Sequence, residues 1–162
     1  MLAEDIKEEF TRRIFEESYP RIIHCLSIVD EKQVWLRPNK NSNSIGNLIL
    51  HLLGNMRQWM CASFNAAEDN RKRSLEFETS ESRTKGELIE AMQELQEEVK
   101  QVLTIIDKEA LLKEYKVQVY KEKGVSIIIH VIEHFSYHTG QIALLTKLFA
   151  DKDLEFYPYS LE

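Results

Sequence analysis

Apolar residues recur along this chain at helical steps, in four long stretches separated by polar connections. The first runs through Ile6, Phe10, Ile14, Tyr19, Ile22, Leu26 and Val29 and predicts a helix over 3–29. Pro20 interrupts it, and a kink or break is expected there, because proline removes one backbone bond and clashes with the preceding turn. The second stretch, 44–67, carries a broad stripe of Ile45, Leu48, Ile49, Leu52, Met56, Trp59 and Met60. Ser42 or Ser44 can cap it. Gly46 and Gly54 lower its helix propensity, and a close helix–helix approach would explain their tolerance.

The third stretch, 84–106, opens on Thr84-Lys85-Gly86-Glu87, a capping box. Leu88, Met92, Leu95, Val99, Val102 and Ile106 then follow at bundle spacing. Its charged residues, Glu90, Glu94, Glu97, Glu98 and Lys100, read as a solvated face. The fourth, 126–150, is capped by Ser126 and turns Ile127, Val131, Phe135, Ile142 and Leu145 inward. Together these predict an all-α four-helix bundle in a single domain spanning 1–162.

The connections are longer than minimal bundle turns, which allows consecutive helices to be non-neighbours. In the first loop, Trp35 and Leu36 are expected to pack onto the bundle. Residues 68–83 read as a long exposed connection, polar and without period. Residues 107–112 suggest a short extra turn, and 116–120, alternating polar and apolar, a short extended segment. The tail 154–159 holds Phe156, Tyr157 and Tyr159 and is too apolar to float, so it should dock on the bundle.

Composition narrows the function classes. Hydrophobic residues at 43% and charged residues at 30% are ordinary for a soluble globular protein. A formal charge of −6 argues against nucleic-acid or anionic-membrane partners. No apolar run reaches membrane-spanning length, and the acidic N-terminus lacks the apolar core of a secretory signal. Two cysteines, Cys25 and Cys61, in apolar-periodic segments suggest reduced thiols in the cytoplasm.

The candidate chemistry lies in the histidines. Three of the five, His130, His134 and His138, stand at steps of four on the inward side of the fourth helix. A lone histidine there is ordinarily a hydrogen-bonded core residue. Two at i, i+4 can share one divalent ion, and a catalytic tetrahedral site takes three protein ligands and leaves the last position open. His24 and His51 are the other histidines. His24, without an i±4 partner, reads as surface or rim; His51 lies at the edge of the second helix's stripe, at a depth where it can meet the pair. Asn55, one turn on, is placed to accept the other N–H of His51 and fix its tautomer. There is no H-E-x-x-H motif, no Gly-rich phosphate loop, and Glu133 directly precedes His134 rather than standing three before it, which disfavours zinc proteases and di-iron bundles.

Three pieces carry a resemblance: Asn43-Ser44-Ile45-Gly46-Asn47-Leu48-Ile49-Leu50-His51-Leu52, then Gly54-Asn55-Met56-Arg57-Gln58-Trp59, then Glu133-His134-Phe135 through His138-Thr139-Gly140-Gln141-Ile142. The chain resembles the DinB-like superfamily of four-helix bundles, which includes the YfiT-type proteins, and within it the branch known as domain of unknown function 1572. The resemblance covers nearly the whole chain. It implies a metal, commonly zinc or nickel, held by His51, His134 and His138, with Gln141 orienting a ligand or bound water and His130 an accessory. Where many relatives carry Arg after the last His, this chain has Thr139, which weakens any role transferred from that arginine.

The resemblance also implies two functional expectations. One is a transferase that uses a low-molecular-weight thiol on a small-molecule electrophile. The other is a non-enzymatic bundle in which the metal, or a satisfied histidine cluster, only stabilises a binding or dimerisation module. Relatives often pair through bundle helices, implying a homodimer; Met60, Phe64 and the tail aromatics could supply an apolar patch.

Overall fold

The computed structural model describes residues 2–78 and 83–157. Four helical rods form the bundle. The first joins α1 (Leu2–Thr11), a π-helical segment (Arg12–Ser18) and α2 (Tyr19–Ile28). After the short α3 (Glu31–Trp35), the second joins α4 (Ile45–Met56) to another π-helical segment (Arg57–Ala62). The short α5 (Arg73–Glu78) precedes the third rod, α6 (Lys85–Ile105). The short α7 (Lys108–Leu112) and an antiparallel hairpin of β1 (Glu114–Val117) and β2 (Tyr120–Lys123) lead to the fourth, α8 (Gly124–Ala150).

The first and second rods each pack against α6 and α8, so the first and second rods, and the third and fourth, lie across the bundle's diagonals, while the second and third are neighbours. The long connections make this order possible. The inward stripes close a common core in which Phe10, Ile14, Ile45, Met56, Met60, Leu88, Leu95, Val99, Ile127, Val131 and Ile142 are fully buried.

Local chemistry explains the rod ends. Ser44 and Asn47 form a capping box at α4, and Thr84 and Glu87 another at α6. Asp107 caps α7 by accepting from the Ala110 N–H at 2.8 Å. α8 differs from expectation: it opens at Gly124, with no side-chain cap, so Ser126 lies inside the helix. The hairpin runs straight into it because Gly124 lies against α7; a Cβ there would stand 2.3 Å from the Ala110 carbonyl oxygen.

Pro20 causes no break. The π segment widens the turn before it, and the Tyr19 N–H reaches the Ile14 carbonyl five residues back. Proline then occupies the first turn of α2, where its missing N–H leaves little undone.

Several smaller expectations change. Trp35 is buried, its Nε1–H donating to the Arg83 carbonyl at 2.9 Å, but Leu36 is exposed. The glycines of α4 do mark close approaches, made by side chains from the connections: a Cβ on Gly46 would meet the Trp35 ring at 2.7 Å, and one on Gly54 the Glu76 carboxylate at 2.1 Å. Met60 is buried and Phe64 packs its ring on Tyr115 at 4.9 Å, so neither contributes to an exposed apolar patch. Exposed apolar side chains lie instead on α8, at Ile129, Tyr137, Leu144 and Leu148. The tail docks through buried Leu154 and through Phe156 and Tyr157, whose rings stand 5.6 and 5.7 Å from the Arg21 guanidinium; Tyr159 is outside the described residues.

The residues 68–83 are where expectation fails most. Within them α5 lies along α4, its Glu76 is buried, and the Arg71 side chain is only 6% exposed. The Asn47 side chain donates to the Glu76 carbonyl at 2.9 Å, and Arg37 donates to the Phe77 carbonyl, so α5 is fastened at both its side chains and its backbone.

Two glycines should respond to alanine with opposite signs. Gly46→Ala forces the Trp35 ring aside and should cost about 1–3 kcal/mol. Gly140, with nothing within 4 Å of an added Cβ, lies inside α8, so Gly140→Ala should gain about 0.5–1 kcal/mol. Urea unfolding of the two variants checks both signs.

Candidate metal centre

α4 and α8 pack side by side, and each turns histidines into the seam between them. The Ser44 cap sets the start of α4, and His51 follows seven residues later, 4% exposed beside Leu48 and Leu52. On α8 the apolar positions Ile127, Val131 and Phe135 face the core, which places His130 and His134, half-buried, and His138, buried, along the adjoining edge.

His51, His134 and His138 converge. One ring nitrogen from each lies within 4.8 Å of the others. Ring centroids are 4.8 Å apart for His51 and His134, 5.0 Å for His51 and His138, and 4.5 Å for His134 and His138. The Nε2 atoms of His51 and His134 are 2.9 Å apart, a hydrogen bond as they stand. Two nitrogens on one tetrahedral zinc, at the usual Zn–N length, stand about 3.3 Å apart. A small relaxation brings the His51–His134 pair to that spacing, and the third nitrogen, within 4.8 Å, completes the set by closing in.

Neighbours hold two of the rings. The His51 Nδ1–H donates to a Glu76 carboxylate oxygen at 2.8 Å, which leaves its Nε2 bare toward the cluster. The His138 Nδ1–H donates to the Gln141 side-chain oxygen at 2.7 Å, and the Gln141 amide donates on to the Tyr137 hydroxyl at 3.2 Å. Three imidazole nitrogens, two of them oriented this way, are the donor chemistry of a zinc, nickel or copper site, and the residues present fit such an ion.

The model of the family described as protein of unknown function DUF1572 matches residues 8–158. The chain belongs to the DUF1572 family. Among solved structures, a DinB-like protein from Bacillus cereus ATCC 10987 superimposes with a TM-score of 0.68 at 10% sequence identity, over 87% of this chain and 91% of that one. The two share the DinB-like bundle fold. No curated protein matches this chain.

In this DUF1572 chain the remaining candidates sit around the three. His130 is outside the convergent set. Its ring stacks between Trp59, at 3.8 Å, and His134, at 5.4 Å, and its Nε2 meets the Asn55 amide nitrogen at 3.3 Å. Asn55 therefore serves His130 and not His51, correcting the expectation from its place one turn along α4; its side-chain oxygen is buried without a partner. His24 is exposed, against the Phe156 ring at 6.1 Å. Thr139 is buried on the core side of α8, and its hydroxyl too is without a partner.

Glu76 and Arg71 were missed because a 16-residue polar stretch without periodicity gives no hint of burial. The available signal was Gly54, a helix-interior glycine whose missing side chain leaves room for the Glu76 carboxylate and the Arg71 guanidinium. Arg71 holds both Glu76 oxygens, at 2.7 and 2.9 Å, and donates to the Gln58 oxygen at 2.8 Å. Gln118, at the hairpin turn with φ 55°, donates to the same Gln58 oxygen at 2.6 Å. The strap, the second rod and the hairpin are thus tied together behind His51.

Burial sets the electrostatics. It pulls the His134 imidazole down from 6.5 to about 3, helped by the charges that His138, His51, His130 and Arg71 would present. Burial also lowers His138, against the Gln141 hydrogen bond, and His130, against Glu133 and Glu122. Burial alone would raise Glu76, but the hydrogen bonds from His51 and Arg71 outweigh it and hold the carboxyl below its usual range. Burial thus holds His130, His134 and His138 toward the neutral form, while Glu76 is held ionised against Arg71.

The sign of the pH dependence follows. Folded His134 binds its proton far more weakly than the unfolded chain does, so between 6.5 and about 3 the unfolded state holds more protons. The stability of metal-free protein should be fully present above that window and fall as pH drops through it. Urea midpoints should be lower at about pH 5 than at about pH 7.5, and His134→Gln should flatten the difference.

Proposed function

We propose that residues 1–162 form one DinB-like domain in which His51, His134 and His138 hold a single divalent cation, zinc or nickel. We read the protein as a metal-dependent transferase that joins a low-molecular-weight thiol to a small electrophile. The observation that carries this reading is the convergence of three ring nitrogens within 4.8 Å, with no fourth histidine, cysteine or carboxylate in the group among the described residues. When bound, such an ion keeps its full positive charge against neutral imidazoles, which favours loss of a proton from a coordinated water or thiol.

The chain's own residues do the rest. Glu76 and Gln141 hold the Nδ1 protons of His51 and His138, fixing which nitrogens face the ion. Phe77 packs on the His51 ring at 4.8 Å and closes that side, while Trp59 stacks on half-buried His130 at 3.8 Å and walls the far end of the row. Phe135 stacks on Tyr19, and the described part of the tail packs Phe156 on Arg21. The thiol must come from outside: Cys25 and Cys61 are buried, and burial raises both, Cys61 to about 11. Two free cysteines also suit the reducing cytoplasm.

The competing reading, a non-enzymatic binding or dimerisation module, draws on the 2.9 Å contact by which His51 and His134 already satisfy each other. Titration with cobalt(II), followed by its visible absorption, tests the metal site, and thiol exchange and conjugation separate the two readings. The parent protein should bind tightly and exchange its remaining position for azide or a small thiol. His51→Ala and His134→Ala should abolish tight binding, His130→Ala should have an intermediate effect, and His24→Ala should change little. If His51→Ala binds as tightly as the parent, the histidines are a core cluster. A thiol-conjugation screen on metal-loaded protein then tests the reaction.

We also propose that the protein is a homodimer, supported by the exposed apolar row Ile129, Tyr137, Leu144 and Leu148 on α8. Sedimentation equilibrium at high micromolar concentration should return twice the chain mass, and a monomer there rejects it.

A further inference from the structure

Two charged side chains lie behind His51, and their roles there are opposed. Glu76 takes the Nδ1 proton at 2.8 Å; Arg71 brings its Nη2 to 3.2 Å from that nitrogen. Both are nearly sealed from solvent, with side chains 10% and 6% exposed. Had Nδ1 been bare, the carboxylate would face a lone pair at 2.8 Å, so the shorter contact puts the proton on Nδ1, and the Arg71 Nη2 donates to Glu76 at 2.9 Å instead.

We infer that Glu76 is a positioning residue for metal binding through His51, and that Arg71 tempers it. The carboxylate fixes the tautomer that presents Nε2 and pushes electron density through the ring toward that atom. Arg71 neutralises the carboxylate, keeping a lone anion out of the interior, and in doing so withdraws part of that push. The inference rests on the metal-binding reading above. It adds that α5, outside the bundle itself, sets the affinity of the site, and that the two members of one ion pair act on it in opposite directions.

The strap's packing alone would give a different pattern. Glu76 meets His51 of α4 at 2.8 Å, Arg71 donates to Gln58 of the same rod at 2.8 Å, and the two pair with each other at 2.7 Å, so replacing either one loosens the same packing. A structural role predicts that both replacements weaken metal binding alike. The positioning role predicts that they diverge.

The experiment measures cobalt(II) dissociation constants for the full chain, for Glu76→Gln and for Arg71→Gln, with far-ultraviolet circular dichroism confirming the helical fold of each. Glu76→Gln leaves an uncompensated guanidinium beside a metal ligand and should weaken binding by about ten- to a hundredfold. Arg71→Gln should bind as tightly as the parent, or more tightly, even though its melting temperature falls. A ratio of at least tenfold between the two variants supports the inference; a smaller ratio, with the parent binding cobalt, overturns it and leaves the metal site standing. A parent that does not bind cobalt overturns the metal-binding reading and this inference with it. Should Glu76→Gln lose its helical signal, the double variant Glu76→Gln/Arg71→Gln, which leaves no lone buried charge, takes its place in the same ratio and should bind at least tenfold more weakly than Arg71→Gln.

Discussion

The hydrogen bond from His51 to Glu76 is what makes a buried histidine cluster tolerable in this bundle. An imidazole in an apolar seam needs partners for both its nitrogens. Glu76 takes one nitrogen of His51, and the other is left for His134 and His138. The carboxylate needs a cation in turn, and Arg71 provides it. Gln58 then anchors Arg71, Asp69 and Gln118 together, at 2.8, 2.8 and 2.6 Å. Each polar group in this network is therefore there because the one before it needed a partner, and the chain of needs begins at the Nδ1 of His51.

The apolar pattern and the site stand in tension, and the seam resolves it. α4 and α8 bury their broad faces in the core and turn a narrow edge of each toward the other. On the α8 edge, burial favours the neutral form of His130, His134 and His138. The π segment Arg57–Ala62 carries Trp59 onto His130 at 3.8 Å, which extends the row of rings toward the hairpin. Irregular helical turns of this kind recur at functional sites. Here one carries the side chain that walls the site.

What could be read from the residues divides along a physical line. The four rods follow from repeating apolar positions, and the capping boxes at Ser44 and Thr84 from local chemistry, so both are written within a few residues of where they act. His134 and His138 could be paired because a helix fixes what four residues' separation means. His51 could be added because it lies on an inward face at a matching depth. Glu76 and Arg71 could not: their burial depends on where a non-periodic connection folds back, and nothing within residues 68–83 encodes that. Asn55 was misread for a related reason. One turn along α4 is close to His51, but the neighbour on α8, His130, is what its amide meets. Ser126 looked like a cap because the β-hairpin that feeds α8 directly was invisible as a fixed entry.

The diagonal placement of the first and second rods, and of α6 and α8, bears on how the chain reaches this state. In an up-and-down bundle each helix meets its successor, and most contacts are local. Here the first rod must wait for α6 and α8, and the pairing of His51 with His134 spans 83 residues. A topology of high contact order closes large loops before they are rewarded, which slows folding relative to simpler bundles of the same length. The histidine seam is thus among the last parts of the molecule to assemble. During synthesis it stays open until α8 emerges, because His134 and His138 both lie on that last rod.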